Sequence, residues 1–183
     1  MHRVSVVGNS GSGKTTVARA ISDRLGIPHL ELDAIYHQPG WSARPEAEMR
    51  RLLTEFVEQD RWVVDGNYTS LGVADLVWPR ADTLVWLDLP RRVVMRQVIS
   101  RTIRRVSTGE ELWNGNRERW GNLVDPRPGR NIILWAWTRQ AQVRRGYEQR
   151  LGDGSWDHLD VIRLGTGGEV RSFLADPDRR ADR

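Results

Sequence analysis

The stretch GNSGSGKTT, from Gly8 to Thr16, stands directly after the β-branched run RVSVVG and directly before a helix-forming segment. Gly8, Gly13, Lys14 and Thr15 match G-x-x-x-x-G-K-[ST] in the strand-then-helix setting that pattern requires. Few folds accommodate it. A glycine-rich turn between strand and helix aims successive backbone N–H groups inward, and the helix N-terminus adds partial positive charge. Gly8, Asn9, Ser10, Gly11, Ser12, Gly13, Lys14, Thr15 and Thr16 therefore read as a phosphate cradle. Lys14 is expected to reach the β- and γ-phosphates of a nucleotide, and the Thr15 hydroxyl to ligate Mg²⁺. Lys14 is also the one lysine among 28 basic residues. A compact ammonium fits a tight nest of amides, whereas guanidinium is a wide planar fork.

Downstream, apolar residues at Val17, Ala18, Ile21 and Leu25 keep a helical period, which Gly26 stops. IPHLEL is predicted as a second strand reaching Asp33, RWVVDG as a third ending at Asp65, DTLVWLDLP as a fourth and HLDVIRL as a fifth. Helices are predicted over PEAEMRRLLTEFVEQD, from about Arg91 to Val106, over NIILWAWTRQAQVRRGYEQRL and over GGEVRSFLA. Strands alternating with helices imply an α/β protein of the P-loop NTPase fold, with a five-stranded, mostly parallel sheet flanked by helices. Such sheets bind ligands at the carboxyl ends of their strands, so Lys14, Asp33 and Asp65 are expected to face one crevice.

Two segments lack a clear period. AIYHQPGWSAR is predicted as an aromatic loop within an acceptor-binding insertion at about 33–60. STGEELWNGNRERWGNLVDPRPGR is predicted as part of a mobile, arginine-bearing lid at about 107–130. Residues 1–175 form one predicted domain, and 176–183 a disordered tail.

Composition narrows the classes. The absence of cysteine excludes disulfides, thiolate metal sites and Cys nucleophiles. No apolar run approaches the roughly 18 residues of a membrane span, and the N-terminus enters a glycine turn before a signal-peptide core forms. A soluble cytoplasmic protein without membrane partners is the expectation. The net charge of +4 fits anionic partners such as nucleotides and also permits nucleic acid. With its one lysine in the phosphate loop, the chain has no Asn-Lys-x-Asp guanine reader.

Taken together, GNSGSGKTT, LELDAIYHQPGW, WVVDGNY, LVWLDLPR and ELWNGNRE resemble the adenylate-kinase-like small P-loop kinases, in particular the DNA-topology-modulation (FlaR-like) proteins, from Val4 to about Leu174. The resemblance implies ATP and Mg²⁺ as cofactors and an arginine lid that closes over the nucleotide. Nucleoside monophosphate kinases of this kind clamp the acceptor phosphate with one arginine after the second strand and another after the Asp-Gly of the third. This chain carries AIYHQPGW and NYTS at those places. The position of Asp33 instead resembles shikimate kinase, where a carboxylate near the strand end orients an acceptor hydroxyl. Asp33 is accordingly expected to align the hydroxyl and accept its proton; the competing reading is a turn cap.

Tyr36, His37 and Trp41 are expected to wall the acceptor pocket, with Asn67 and Tyr68 as further contacts. Asp65, ending an apolar strand, reads as a Walker-B-like Mg²⁺ carboxylate rather than an Asp-Gly turn alone. Arg101 and Arg105 lie four apart at the lid's start and, with Arg117 swinging in on closure, are expected to stabilise phosphoryl charge. A solvated basic face is the alternative. Arg163, in the RLGT after the fifth strand, is expected to stack on the adenine. The leading expectation is an ATP-dependent phosphotransferase acting on a small-molecule acceptor, as a monomer or homodimer. The second is a nucleotide-regulated nucleic-acid-binding protein using Arg101, Arg104, Arg105, Arg144, Arg145 and Arg150, although no helix-turn-helix or zinc pattern accompanies them.

Overall fold

A computed structural model describes residues 1–68, 71–121, 125–127 and 131–176. Five strands, β1 (Arg3–Gly8), β2 (His29–Glu31), β3 (Trp62–Asp65), β4 (Thr83–Leu87) and β5 (Asp160–Leu164), form one sheet in the order β2-β3-β1-β4-β5. Every pairing is parallel. Seven helices intervene among the described residues: α1 (Lys14–Leu25), α2 (Leu32–Tyr36), α3 (Glu46–Val57), α4 (Val73–Val77), α5 (Arg91–Thr108), α6 (Ile132–Leu151) and α7 (Gly167–Ala175).

Burial on both faces explains the near-continuous apolar strands. Adjacent residues point to opposite sides. Val64, Leu84 and Trp86 pack with Met49, Leu53, Trp78 and Tyr147 of the α3, α4 and α6 layer. Val63, Val85 and Leu87 pack with Val17, Ile21 and Phe173 of the α1 and α7 layer. Trp62 and Trp78, at 0% and 1% exposure, anchor the first layer; burying a large apolar side chain contributes about 1.5–3 kcal/mol. Among the described residues no helix is long and apolar enough to cross a membrane.

The order places the site. β1 lies between β3 and β4, with Val6 opposite Asp65 and Gly8 opposite Leu87. β2 pairs with β3 so that Glu31 stands opposite Asp65. The carboxyl ends of three strands thus lie side by side where the chain order switches direction, the usual ligand crevice of such sheets.

The structure departs from the local expectations at four places. β2 is short: the chain turns at Leu32 into α2, so Asp33 occupies the first turn of a helix instead of a strand end. The cause is packing. Leu32 is fully buried against Gly66, where a Cβ would fall 2.8 Å from the Leu32 Cβ. Much of AIYHQPGWSAR is ordered, as the end of α2 followed by a 3₁₀ turn at Pro39–Trp41. α4 was not predicted, since five residues are too few to carry a period. The α5 helix runs to Thr108, and the first part of the predicted lid folds as a 3₁₀ turn at Trp113–Gly115. Residues 122–124 and 128–130 of that lid, 69–70 of the NYTS stretch and 177–183 of the tail lie outside the described residues.

Candidate active site

The phosphate loop is shaped by close backbone approach. Gly8 has φ 145° and a Cβ there would fall 2.6 Å from the Leu87 carbonyl oxygen; Gly11 has φ 82° and would meet the Val98 Cβ at 2.8 Å. Only glycine combines these angles with that space. Asn67 braces the loop's first residue, its Nδ2 donating to the Gly8 carbonyl at 2.7 Å and its Oδ1 accepting from Gly8 N at 3.2 Å. The Tyr147 hydroxyl donates to the same Oδ1 at 2.9 Å, and Asn9 Nδ2 donates to the Ala136 carbonyl at 2.9 Å, so α6 holds the loop at two points. Asn67, expected as an acceptor contact, therefore has both polar atoms engaged by the backbone of Gly8.

Lys14 lies at the first position of α1 and its Nζ donates to the Asn9 carbonyl at 3.1 Å. Burial lowers its pKa; Asp33 and Asp65 oppose that shift, Arg101 adds to it and Glu31 opposes it. Glu31, opposite Asp65 on the sheet and bonded to Thr15 next to Lys14, marks where these groups meet. The expected convergence of Lys14, Asp33 and Asp65 is present, joined by Glu31.

Glu31 was not anticipated. Its Oε1 accepts from the Thr15 hydroxyl at 3.3 Å and its Oε2 pairs with Arg19 at 3.1 Å. The signal for it lies in the E-L-D at the end of β2, where the glutamate shares a sheet face with Asp65, two positions from Asp33. Asp65 is 2% exposed and neither carboxylate oxygen has a hydrogen-bond partner among the described residues; His29 Nε2 approaches to 3.4 Å. An anionic group so placed is costly unless a cation or its water completes it. No group of three or more His, Asp or Glu among the described residues could hold a metal alone.

Asp33 accepts a 2.5 Å hydrogen bond from the Tyr68 hydroxyl, on a residue with the strained φ of 31°. Burial and the Asp33 charge push the Tyr68 phenol far up, so it remains a donor. The Tyr36 ring lies 4.6 Å from Tyr68 and 5.1 Å from His37, edge-on to the latter. His37 is kept neutral by burial, which outweighs the opposing Asp33. The Trp41 ring packs edge-on against His37 at 5.2 Å, while its N–H donates to Asn116 Oδ1 at 2.8 Å and its indole to the Arg117 carbonyl at 3.3 Å.

The arginines separate into two groups. Arg101 faces the site, with Nε buried and unpartnered; burial and Arg105 lower its pKa against Glu118, Asp33 and Glu31. Arg105 pairs with Glu118 at 3.2 Å and lies over the Trp113 ring at 5.8 Å. Arg117 is bonded to the Gly109 carbonyl at 2.9 Å and to Glu111 at 3.2 Å, within its own segment. Arg163 is paired with Asp88 and Glu148 and covers the Trp86 ring at 4.2 Å. Neither of the last two is brought to the phosphate loop.

No family model matches the chain. Its sequence is 25% identical over 161 residues to a cytidylate kinase of Thermosipho africanus, covering 83% of this chain and 69% of that protein. It is 26% identical over 196 residues to a cytidylate kinase of Oleidesulfovibrio alaskensis, covering 98% and 86%. Its fold is similar to that of shikimate kinase from Acinetobacter baumannii in complex with shikimate, with a TM-score of 0.60 and 15% identity over 97% of this chain and 90% of that one. The chain thus has the P-loop fold of these small kinases, and the two sequence relatives named above are cytidylate kinases.

Proposed function

We propose that this protein transfers the γ-phosphoryl group of Mg-ATP to a hydroxyl of a small acceptor. The observation that carries the reading is the meeting of Lys14, the cation of the phosphate loop, with Asp33, an acceptor-side carboxylate held by Tyr68. In the transfer the acceptor oxygen bonds to the γ-phosphorus while the bond to the β,γ-bridging oxygen breaks. The hydroxyl proton passes to Asp33 and ADP departs with its new charge beside Lys14. Arg101, unpartnered at Nε, serves the equatorial oxygens of the phosphoryl group. Tyr68 gives up or shares its hydrogen bond to Asp33 when the acceptor hydroxyl arrives.

Thr15 would hold Mg²⁺, with Asp65 and Glu31 as the carboxylates around it; when bound, the ion neutralises charge on the phosphates. The loop Gly8 to Thr16 supplies the amide cradle, and its bracing by Asn67 keeps the strand end rigid beneath it. Arg105 supports the site through Glu118 and Trp113. Arg117 and Arg163 are not assigned to catalysis or to adenine in this reading. A nucleic-acid-binding role has less support, because Arg104, Arg105, Arg144 and Arg150 are paired with Glu110, Glu118, Asp88 and Asp75.

ADP release from Mg-ATP over an acceptor panel tests the proposal. Acceptor-dependent release should be lost in both Lys14→Met and Asp33→Asn, with folding verified by circular dichroism. Release that no acceptor raises above basal hydrolysis would overturn it.

A further inference from the structure

Arg101 and Asp33 stand on two helices that the core does not grip as far as their ends. α5 packs on the phosphate loop, where a Cβ on Gly11 would fall 2.8 Å from the Val98 Cβ, and Arg101 follows one turn later. The last buried residue of α5 is Thr102, and the helix runs about 9 Å further with half-buried or exposed side chains. α2, which carries Asp33, buries only Leu32. The segments that leave these two helices meet each other.

At the meeting point is Asn116, 4% exposed, whereas every other residue from 103 to 121 is half-buried or exposed. Its Oδ1 accepts from Trp41 N at 2.8 Å, and its Nδ2 donates to the Gln38 and Trp113 carbonyls, each at 2.9 Å. One side-chain amide thus ties the chain after α2 to the chain after α5. Asn114 adds donations to the Ala34 and His37 carbonyls, at the end of the helix that holds Asp33. The Trp113 ring stacks on His37 at 5.5 Å, and Arg105 of α5 lies over the same ring at 5.8 Å.

Resting on the phosphotransferase reading, we propose that Asn116, aided by Asn114, is a positioning residue of the reaction. It holds the helix of Asp33 at a fixed spacing from the helix of Arg101, so that nucleotide in the phosphate loop sets the acceptor side in place. Asn116 acts through the two helices and not on the reacting atoms. A buried amide with both Nδ2 hydrogens and its oxygen engaged favours one arrangement, because sliding either segment leaves a polar group unpaired. Binding at one end of such a tie is felt at the other as a coupling between sites. Transfer needs the acceptor oxygen about 3–3.5 Å from the phosphorus, and a misplacement of about 1 Å can cost about 100-fold in rate.

Hydrogen exchange of the full chain with and without Mg-AMPPNP tests it in wild type, Asn116→Ala and Asn114→Ala, with nucleotide affinity read by calorimetry. The expected result is that nucleotide slows exchange in 37–43 of wild type. Asn116→Ala should still bind Mg-AMPPNP and still show slower exchange in the phosphate loop, but lose the slowing in 37–43. Slowing that is absent from 37–43 in wild type, or that survives in Asn116→Ala, overturns the proposal. If Asn116→Ala does not fold, the exposed Asn114 decides: reduced slowing of 37–43 in Asn114→Ala upholds the proposal, and unchanged slowing overturns it. With whichever acceptor supports ADP release, Asn116→Ala should lower kcat by about 100-fold while the KM for Mg-ATP stays near wild type. A change confined to KM, or a loss that only follows the folded fraction, would overturn the positioning role. Failure of wild-type protein to bind Mg-AMPPNP, or binding unchanged by Lys14→Met, would instead remove the phosphotransferase reading, and this proposal with it.

Discussion

Replacing Asp33 with asparagine removes the charge but leaves an oxygen that can still accept the Tyr68 hydrogen bond. A proton acceptor in the transfer contributes about 10²–10⁴-fold. Asp33→Asn should therefore lower acceptor-dependent turnover by about that factor while Mg-ATP affinity, read by calorimetry, stays near wild type. A matching fall in affinity would make Asp33 a structural residue. His37 gives a prediction in pH. Because burial depresses its pKa against the opposing Asp33, the unfolded chain binds the proton more readily than the folded one. Its contribution to stability is present above the ordinary imidazole value of about 6.5 and is lost progressively as pH falls from there through the lower folded value. Urea unfolding at pH 7.5 and 5.5 should show a smaller loss for His37→Gln than for wild type. Equal losses would contradict the neutral, half-buried imidazole. Glu31 was missed at this scale because its partner in sequence, Thr15, is 16 positions away and carries no local signal.

At the scale of elements, two seven-residue hairpins join the segment after α2 to the segment after α5. Residues 37–43 and 111–117 each close with an antiparallel bridge, His37 to Ala43 and Glu111 to Arg117. In each, the backbone is also bonded within the bridge, Gln38 N to Ser42 O at 2.8 Å and Leu112 N to Asn116 O at 2.7 Å. Both reverse through two consecutive left-handed residues, Gly40 and Trp41 in one and Asn114 and Gly115 in the other. Asn114 donates to the Ala34 and His37 carbonyls, and Asn116 donates to Gln38 while accepting from Trp41. Asn116→Ala should therefore speed amide exchange in 37–43 as well as in 111–117. Faster exchange in 111–117 alone would mean the hairpins are independent. The P-loop, the parallel strands and the long helices were legible from period and spacing, because they depend on local pattern. This clasp was not, since PGW and WNG signal turns but not which turn meets which. The same limit explains Asn67, whose bonds to Gly8 span 59 positions. Asn67→Ala should cost about 1–3 kcal/mol in urea unfolding, the range for leaving buried partners unmade, and weaken nucleotide binding. Unchanged stability and affinity would show that the brace is dispensable.

Across the whole molecule, strand order does the positioning. β1 delivers the phosphate loop at the switch point, β2 and β3 end beside it with Glu31 and Asp65, and the turn after β2 presents Asp33 from α2. In the proposed transfer the phosphate side holds Lys14 and Arg101, and the acceptor side holds Asp33 among aromatic rings. Phosphoryl transfer requires that division, because the γ-phosphorus must meet a hydroxyl and not water. The most direct test follows the phosphoryl group itself. ATP labelled with ¹⁸O on the γ-phosphate is incubated with the protein, Mg²⁺ and hydroxyl acceptors, and the label is located by mass spectrometry. Label in a phosphomonoester of an acceptor, lost in Asp33→Asn, is the predicted result. Label only in inorganic phosphate, released at the same rate by wild type and Asp33→Asn, would contradict it.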